Sequence, residues 1–267
     1  MKGKVFITAA FPNDVLSLLE VTTRFAQFMF TLNAFDSRFE TILFSKKKGY
    51  ETISLKEYTT AESLAKKVAD LIIGKEAKEV FKEEGAQLDY DYKRSLGYTF
   101  TILTHGSTSD DTNWLYFSLG GDRSPDNIGG TIVYYFDEKF NAPYSYYQSL
   151  LEIIIDSFHA TNAHFCQRIY FSRNKFFPVP LEHGLEQIGF INYFQKGFLL
   201  PPLPEYIKLE NYKDKGVLFH IDKQVVFPLY TSFADYEAGK CPQFDTFTEK
   251  IKPVFEAFRA MYPRRLG

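Results

Sequence analysis

Cysteine is nearly absent from this 267-residue chain, with Cys166 and Cys241 its only two. At most one bridge could form, too few for a small secreted scaffold built on disulfides, and a reducing, cytoplasmic setting is the expectation. No run of about 18 uncharged apolar residues occurs in the sequence, so no membrane-spanning helix is expected. Charge of one sign is lacking too. The balance of 31 Lys and Arg against 33 Asp and Glu, a net of −2, gives no global basic field for nucleic acid or anionic lipid. Tryptophan occurs once, yet 28 Phe and 18 Tyr bring aromatics to 18% of the chain, so rings must fill much of the core. An apolar content of 45% is enough to bury that core, which excludes disorder, collagen and coiled coil.

The start, Met1-Lys2-Gly3-Lys4 followed by Val5 to Phe11, has the outline of a signal peptide. Its apolar run is short and ends at Pro12-Asn13-Asp14, and β-branched Val5 and Ile7 suit a first strand over Lys4 to Ala10. Asn13 then reads as the N-cap of a helix carrying Val15, Leu18, Leu19, Phe25, Phe28, Met29 and Leu32. Phe39, Ile42, Leu43 and Phe44 precede a basic turn, Lys46-Lys47-Lys48-Gly49. A second helix is predicted from a Thr59-x-x-Glu62 capping box to Gly74, with a charged helix from Lys75 to Glu84 that barely touches the core.

From Gly97 the pattern becomes that of strands, at Tyr98 to Thr104, Trp114 to Leu119 and Thr131 to Phe136. Their short links favour antiparallel neighbours, because a parallel pair needs a long crossover. A helix is expected over Ser145 to His159, then strands at Gln167 to Ser172, Phe190 to Phe194 and Val217 to Ile221, with Pro201-Pro202-Leu203-Pro204 as a stiff connector. A last helix is predicted from Thr246, with Pro253 kinking it or moving its start later. The fold class is therefore α+β, mainly antiparallel sheet flanked by amphipathic helices. The chain is read as one domain over residues 1–267, or two similar-sized lobes meeting near residues 140–165.

Three constellations could carry chemistry. Pro125-Asp126 followed by Asp137-Glu138-Lys139 matches a metal-dependent nuclease pattern, in which two carboxylates hold a divalent cation and the lysine positions water. That match is loose, and a turn and a solvated strand end explain the same residues. Gly120-Gly121 and Gly129-Gly130 suggest a phosphate loop, but a strand follows them where such a loop needs a helix N-terminus, so they read as a hairpin connection. His159, His164 and Cys166 lack metal-ligand spacing, and a structural histidine and a buried thiol are the simpler reading. No metal or cofactor is expected.

Carboxylates cluster more clearly, at Glu76, Glu79, Glu83, Glu84, Asp89 and Asp91, and on the strand loops at Asp110, Asp111, Asp122 and Asp126. Such clusters are commonly solvated faces, here interleaved with Lys75, Lys78 and Lys82. Against a basic partner they could replace phosphates and steer association.

The order of segments resembles the immunity protein 52 family of bacterial toxin systems. Leu32-Asn33-Ala34-Phe35-Asp36-Ser37-Arg38-Phe39 is similar to its early segment; Leu96-Gly97-Tyr98 and the Trp114 strand before Gly120-Gly121 are similar to its middle. The closest correspondence is Ile188-Gly189-Phe190-Ile191-Asn192-Tyr193, then Leu200-Pro201-Pro202-Leu203-Pro204, then Lys215-Gly216-Val217-Leu218. Phe190 stands where the family carries tryptophan, and the basic turn departs from its pattern. The resemblance implies an antitoxin of a polymorphic toxin system such as type VI secretion, which binds a nuclease toxin and covers or locks its active site without catalysis. The ten clustered carboxylates are then the expected toxin-binding residues. No direct contact with nucleic acid or membrane is implied, and the free protein is expected as a monomer or homodimer. The competing reading is a nuclease using Asp126, Asp137 and Lys139.

Overall fold

The architecture is that of a computed structural model, which describes residues 4–12, 14–104, 113–121, 130–136, 140, 142–168, 188–224, 238–240 and 242–261. In chain order the elements are β1 (Lys4–Ala10), α1 (Leu18–Phe35), β2 (Thr41–Ser45), β3 (Tyr50–Ser54), α2 (Ala61–Glu84), β4 (Tyr98–Thr104), β5 (Asn113–Leu119) and β6 (Thr131–Tyr135). They continue with α3 (Tyr144–Phe158), β7 (Asn162–Arg168), β8 (Ile191–Gln195), β9 (Leu209–Tyr212), β10 (Gly216–His220) and α4 (Pro242–Met261). The class is α+β with antiparallel sheet, as the short links between strands require.

The chain divides into two compact units. One comprises Phe11–Tyr134 with Asp156–His159; the other comprises Met1–Ala10, Tyr135–Ile155 and Ala160–Gly267. In the first, strands run in the order β3-β2-β4-β5-β6, and aromatic rings fill the core. Phe25 meets both Phe100 and Phe117 edge-on at 5.2 Å between ring centroids, and Phe100 stacks on Phe117 at 4.9 Å. In the second, the order is β1-β7-β8-β10-β9. There Tyr147 stacks on Phe165 at 4.5 Å, and Phe194 stacks on Phe219 and Phe258.

Helix α1 starts later than expected. Asn13 lies outside the described residues, Val15 is exposed ahead of the helix, and Ser17 is the N-cap. Ser17 Oγ accepts from Glu20 N–H at 3.2 Å while Ser17 N–H donates to Glu20 Oε2 at 2.7 Å, a full capping box. The buried stripe of Leu18, Val21, Phe25, Phe28, Met29 and Leu32 begins directly after the Ser17 cap, which is why the helix begins there.

Helix α2 corrects two expectations. Its N-cap is Thr60, whose hydroxyl accepts from Ser63 N–H, and it runs unbroken through Gly74 to Glu84. A mid-helix glycine costs about 1 kcal/mol, and Ile72, Glu76 and Val80, buried at intervals of four, continue the packed face past it. Helix α4 begins at Pro242 and continues through Pro253; proline is well tolerated at a first helical position. Strand β7 begins at Asn162, five residues before the expected start, and residues 169–172 of that expected strand lie outside the described residues. Buried Asn162 and His164 hide its pattern. Among the described residues no helix is long and apolar enough to cross a membrane.

Candidate partner-binding site

Helix α2 and the segment after it place six of the ten clustered carboxylates. The C-terminal half of α2 presents Glu79, Glu83 and Glu84 outward and turns Glu76 inward, into the stripe that Ile72 and Val80 share. After Gly85 caps the helix, the chain passes Asp89 and Asp91, both exposed, and returns along residues 89–97.

Two sets of bonds hold that returning segment. On one side its backbone serves the N-terminus of α1, where the first N–H groups of any helix lack intrahelical acceptors. Leu18 N–H donates to Tyr92 O at 3.1 Å and Leu19 N–H to Tyr90 O at 2.9 Å, beside a β-bridge between Ser17 and Lys93. On the other side Arg94 reaches α2. Its Nη1 donates to Glu76 Oε2 at 3.1 Å, its Nη2 to Glu83 Oε2 at 3.1 Å and its Nε to Glu84 Oε1 at 2.9 Å. The Tyr92 hydroxyl donates to Glu84 Oε2 at 2.5 Å, and that of Tyr90 to Asp70 Oδ1.

The electrostatics follow from this geometry. Burial pushes the Glu76 carboxyl above its ordinary pKa, in spite of Lys75 and Arg94 beside it. Glu84, nearer solvent, is moved down by the Tyr92 hydroxyl and by Arg94. For Arg94, burial opposes the cation, but the carboxylates of Glu84, Glu76 and Glu83 more than offset it and move its pKa up. From Lys75 to Arg94 the six carboxylates face five cations, so this surface is nearly neutral overall.

The predicted binding residues therefore separate into groups. Glu76 is buried and serves the fold; Glu83 and Glu84 are tied to Arg94; Glu79, Asp89 and Asp91 point to solvent, with Asp89 Oδ1 also accepting from Asp91 N–H at 3.0 Å. Asp110, Asp111, Asp122 and Asp126 lie outside the described residues, as do Asp137 and Lys139 of the nuclease reading. Charge spacing did not single out Arg94, Tyr90, Tyr92 or the α2 residue Phe81, which is 67% exposed among these charges. The alternation Asp89-Tyr90-Asp91-Tyr92 ahead of a basic pair was the available signal for an extended strap.

The remaining sequence candidates have structural surroundings. Gly120 sits at φ +72°, a left-handed turn after β5, and a Cβ on it would lie 2.7 Å from Val21 Cγ2. His159 is exposed after α3. Cys166 is buried with its thiol pKa pushed up by burial. Asn192 Oδ1 accepts from Gly189 N–H at 2.7 Å and its Nδ2 donates to Gly189 O at 2.8 Å, which fixes the orientation of the amide. His164 Nδ1, 3.0 Å from the same Oδ1, must then be the protonated nitrogen. Its Nε2 is buried without a hydrogen-bond partner among the described residues, and burial lowers the ring pKa to about 4. Among the described residues no three His, Cys, Asp or Glu side chains are placed to hold a metal ion.

No family model matches the chain, and no curated protein matches it. Among solved structures it is similar to a Pseudomonas aeruginosa T6SS protein, with a TM-score of 0.43 and 8% identity over 94% of this chain and 76% of that one.

Proposed function

We propose that this chain is an immunity protein of the immunity protein 52 type, made by a bacterium to neutralise a nuclease toxin of a type VI secretion system. It acts in the cytoplasm by occupying the toxin's working face and turns over no substrate. The observation that carries this reading is the sequence pattern at Ile188 to Tyr193, Leu200 to Pro204 and Lys215 to Leu218. Those pieces belong to one stretch of the fold: Ile191 to Tyr193 lie in β8, the prolines connect onward, and Gly216 to Leu218 lie in β10, paired antiparallel to β8.

The surface offered to the toxin is the outer side of α2 and its strap. Glu79, Asp89 and Asp91 supply carboxylates free to meet a basic cleft, and Phe81 supplies an aromatic anchor. Arg94 holds the strap against α2, so little ordering remains to oppose binding. A tight complex of this kind buries about 800 Å² on each partner.

The test is genetic and direct. The protein encoded beside this chain is expressed in cells with and without it. Growth rescued only when this chain is present supports the reading, and equal killing in both contradicts it.

A further inference from the structure

The acidic segment is nearly neutral once its cations are counted, whereas the turn between β2 and β3 carries a clear excess of positive charge. Lys46, Lys47 and Lys48 follow β2 directly, and Lys67 of α2 reaches the same place. Lys46 N–H closes the turn on Gly49 O at 3.0 Å, and Gly49 takes φ +75°, a left-handed conformation that strains any L side chain. Glu51 of β3 accepts from Lys46 Nζ at 2.7 Å on one oxygen and from Lys67 Nζ at 3.0 Å on the other.

One carboxylate thus gathers two ammonium groups. Lys47 and Lys48 remain exposed, with no hydrogen bond or ion pair among the described residues. Four lysines stand against Glu51, an excess of three positive charges, and counting Asp70, which also acts on Lys67, leaves two. Tyr50, 54% exposed, lies at the same end of the hairpin, and β3 is the last strand in its unit's order. The patch is therefore basic, aromatic and at a sheet edge, on a chain whose net charge is −2.

We propose that the β2–β3 turn is a docking point for an acidic protein surface, with Lys47 and Lys48 steering association and Tyr50 as the aromatic contact. Nucleic acid fits less well. Phosphate binding draws its strength from many neutralised phosphates, and this turn offers few cations on a chain that is acidic overall. Edge lysines also guard against strand-to-strand aggregation, a role that requires no partner. The proposal is independent of the toxin-binding reading, since it concerns different residues.

The experiment follows the fluorescence anisotropy of a fluorescein-labelled decaglutamate peptide titrated with the full chain, with a single-stranded oligodeoxynucleotide of equal charge as comparison. Saturable binding of the peptide that weakens as salt is raised is expected. Lys47→Glu with Lys48→Glu should weaken it roughly tenfold. Thermal unfolding of that variant should be unchanged, because neither lysine holds Glu51. Tyr50→Ala should weaken binding by a smaller factor. Absence of binding, or equal affinity for wild type and the double variant, overturns the proposal and leaves the lysines as edge protection. Tighter binding of the oligonucleotide overturns it in favour of nucleic acid.

Discussion

Arg94 Nη1 lies 3.1 Å from Oε2 of Glu76, whose residue surface is only 6% exposed, and the same guanidinium extends to Glu83 and Glu84. Removing one partner of a buried ion pair strands the other, whereas replacing both with apolar groups of similar size can be nearly neutral. Arg94→Ala is therefore expected to destabilise the protein by about 3 kcal/mol. Arg94→Met combined with Glu76→Leu should recover most of that loss, and urea unfolding of the three chains measures both effects.

Asn192 gives the second unit a comparable dependence. Asn192→Ala removes the acceptor used by Gly189 N–H and His164 Nδ1–H and the donor used by Gly189 O, all of them buried. A cost of roughly 3 kcal/mol is expected in chemical unfolding. Gly189→Ala should be at least as harmful, since its Cβ would lie 2.2 Å from Phe165 O, a backbone atom that cannot swing aside.

Acid should weaken the fold in a defined window. Burial lowers the pKa of His164 from 6.5 to about 4, and that of His220 likewise, with Lys223 adding to the effect and Glu210 opposing it. Between those values the unfolded chain binds more protons than the folded one, so stability is full above pH 6.5 and is lost as the pH falls toward 4. His164 alone accounts for a loss on the order of 3 kcal/mol. Glu76 works the other way: its raised pKa makes its contribution fall as the pH rises through its titration. Stability measured against pH should show a positive slope between pH 4 and 6.5, shallower in His220→Gln. A flat profile contradicts the assignment of both rings as neutral.

Charge reversal on the proposed toxin-binding face must respect the Arg94 contacts. Glu83→Lys and Glu84→Lys disturb Arg94 and should lower stability as well as affinity. Glu79→Lys with Asp91→Lys leaves those bonds intact. This pair should change stability by less than about 0.5 kcal/mol and weaken toxin binding roughly tenfold. Calorimetric titration with the toxin, alongside thermal unfolding, separates the two effects.

The sequence carried most of the element pattern, because the stripe from Leu18 to Leu32 and the strand runs at Tyr98, Trp114 and Thr131 follow simple periods. Legibility failed where tertiary contacts outweigh local preference. Gly74 reads as a helix end, yet the packing of Glu76 and Val80 carries α2 past it. Strand β9 was missed because three of its four residues are exposed and no alternation marks them. In the candidate site, carboxylate density marks out the segment from Glu76 to Asp91 but not its organisation. The inward turn of Glu76 depends on Arg94, 18 residues away in sequence. A spacing rule for nearby charges does not reach that far.

Inhibition itself is the decisive measurement for the proposed role. This chain is purified and titrated into the purified protein encoded beside it, the proposed toxin, and cleavage of DNA or RNA is followed at each ratio. Cleavage is expected to stop at a fixed stoichiometry, in step with formation of a stable complex on size-exclusion chromatography. Cleavage that continues undiminished in excess of this chain, with the two proteins eluting separately, would contradict it.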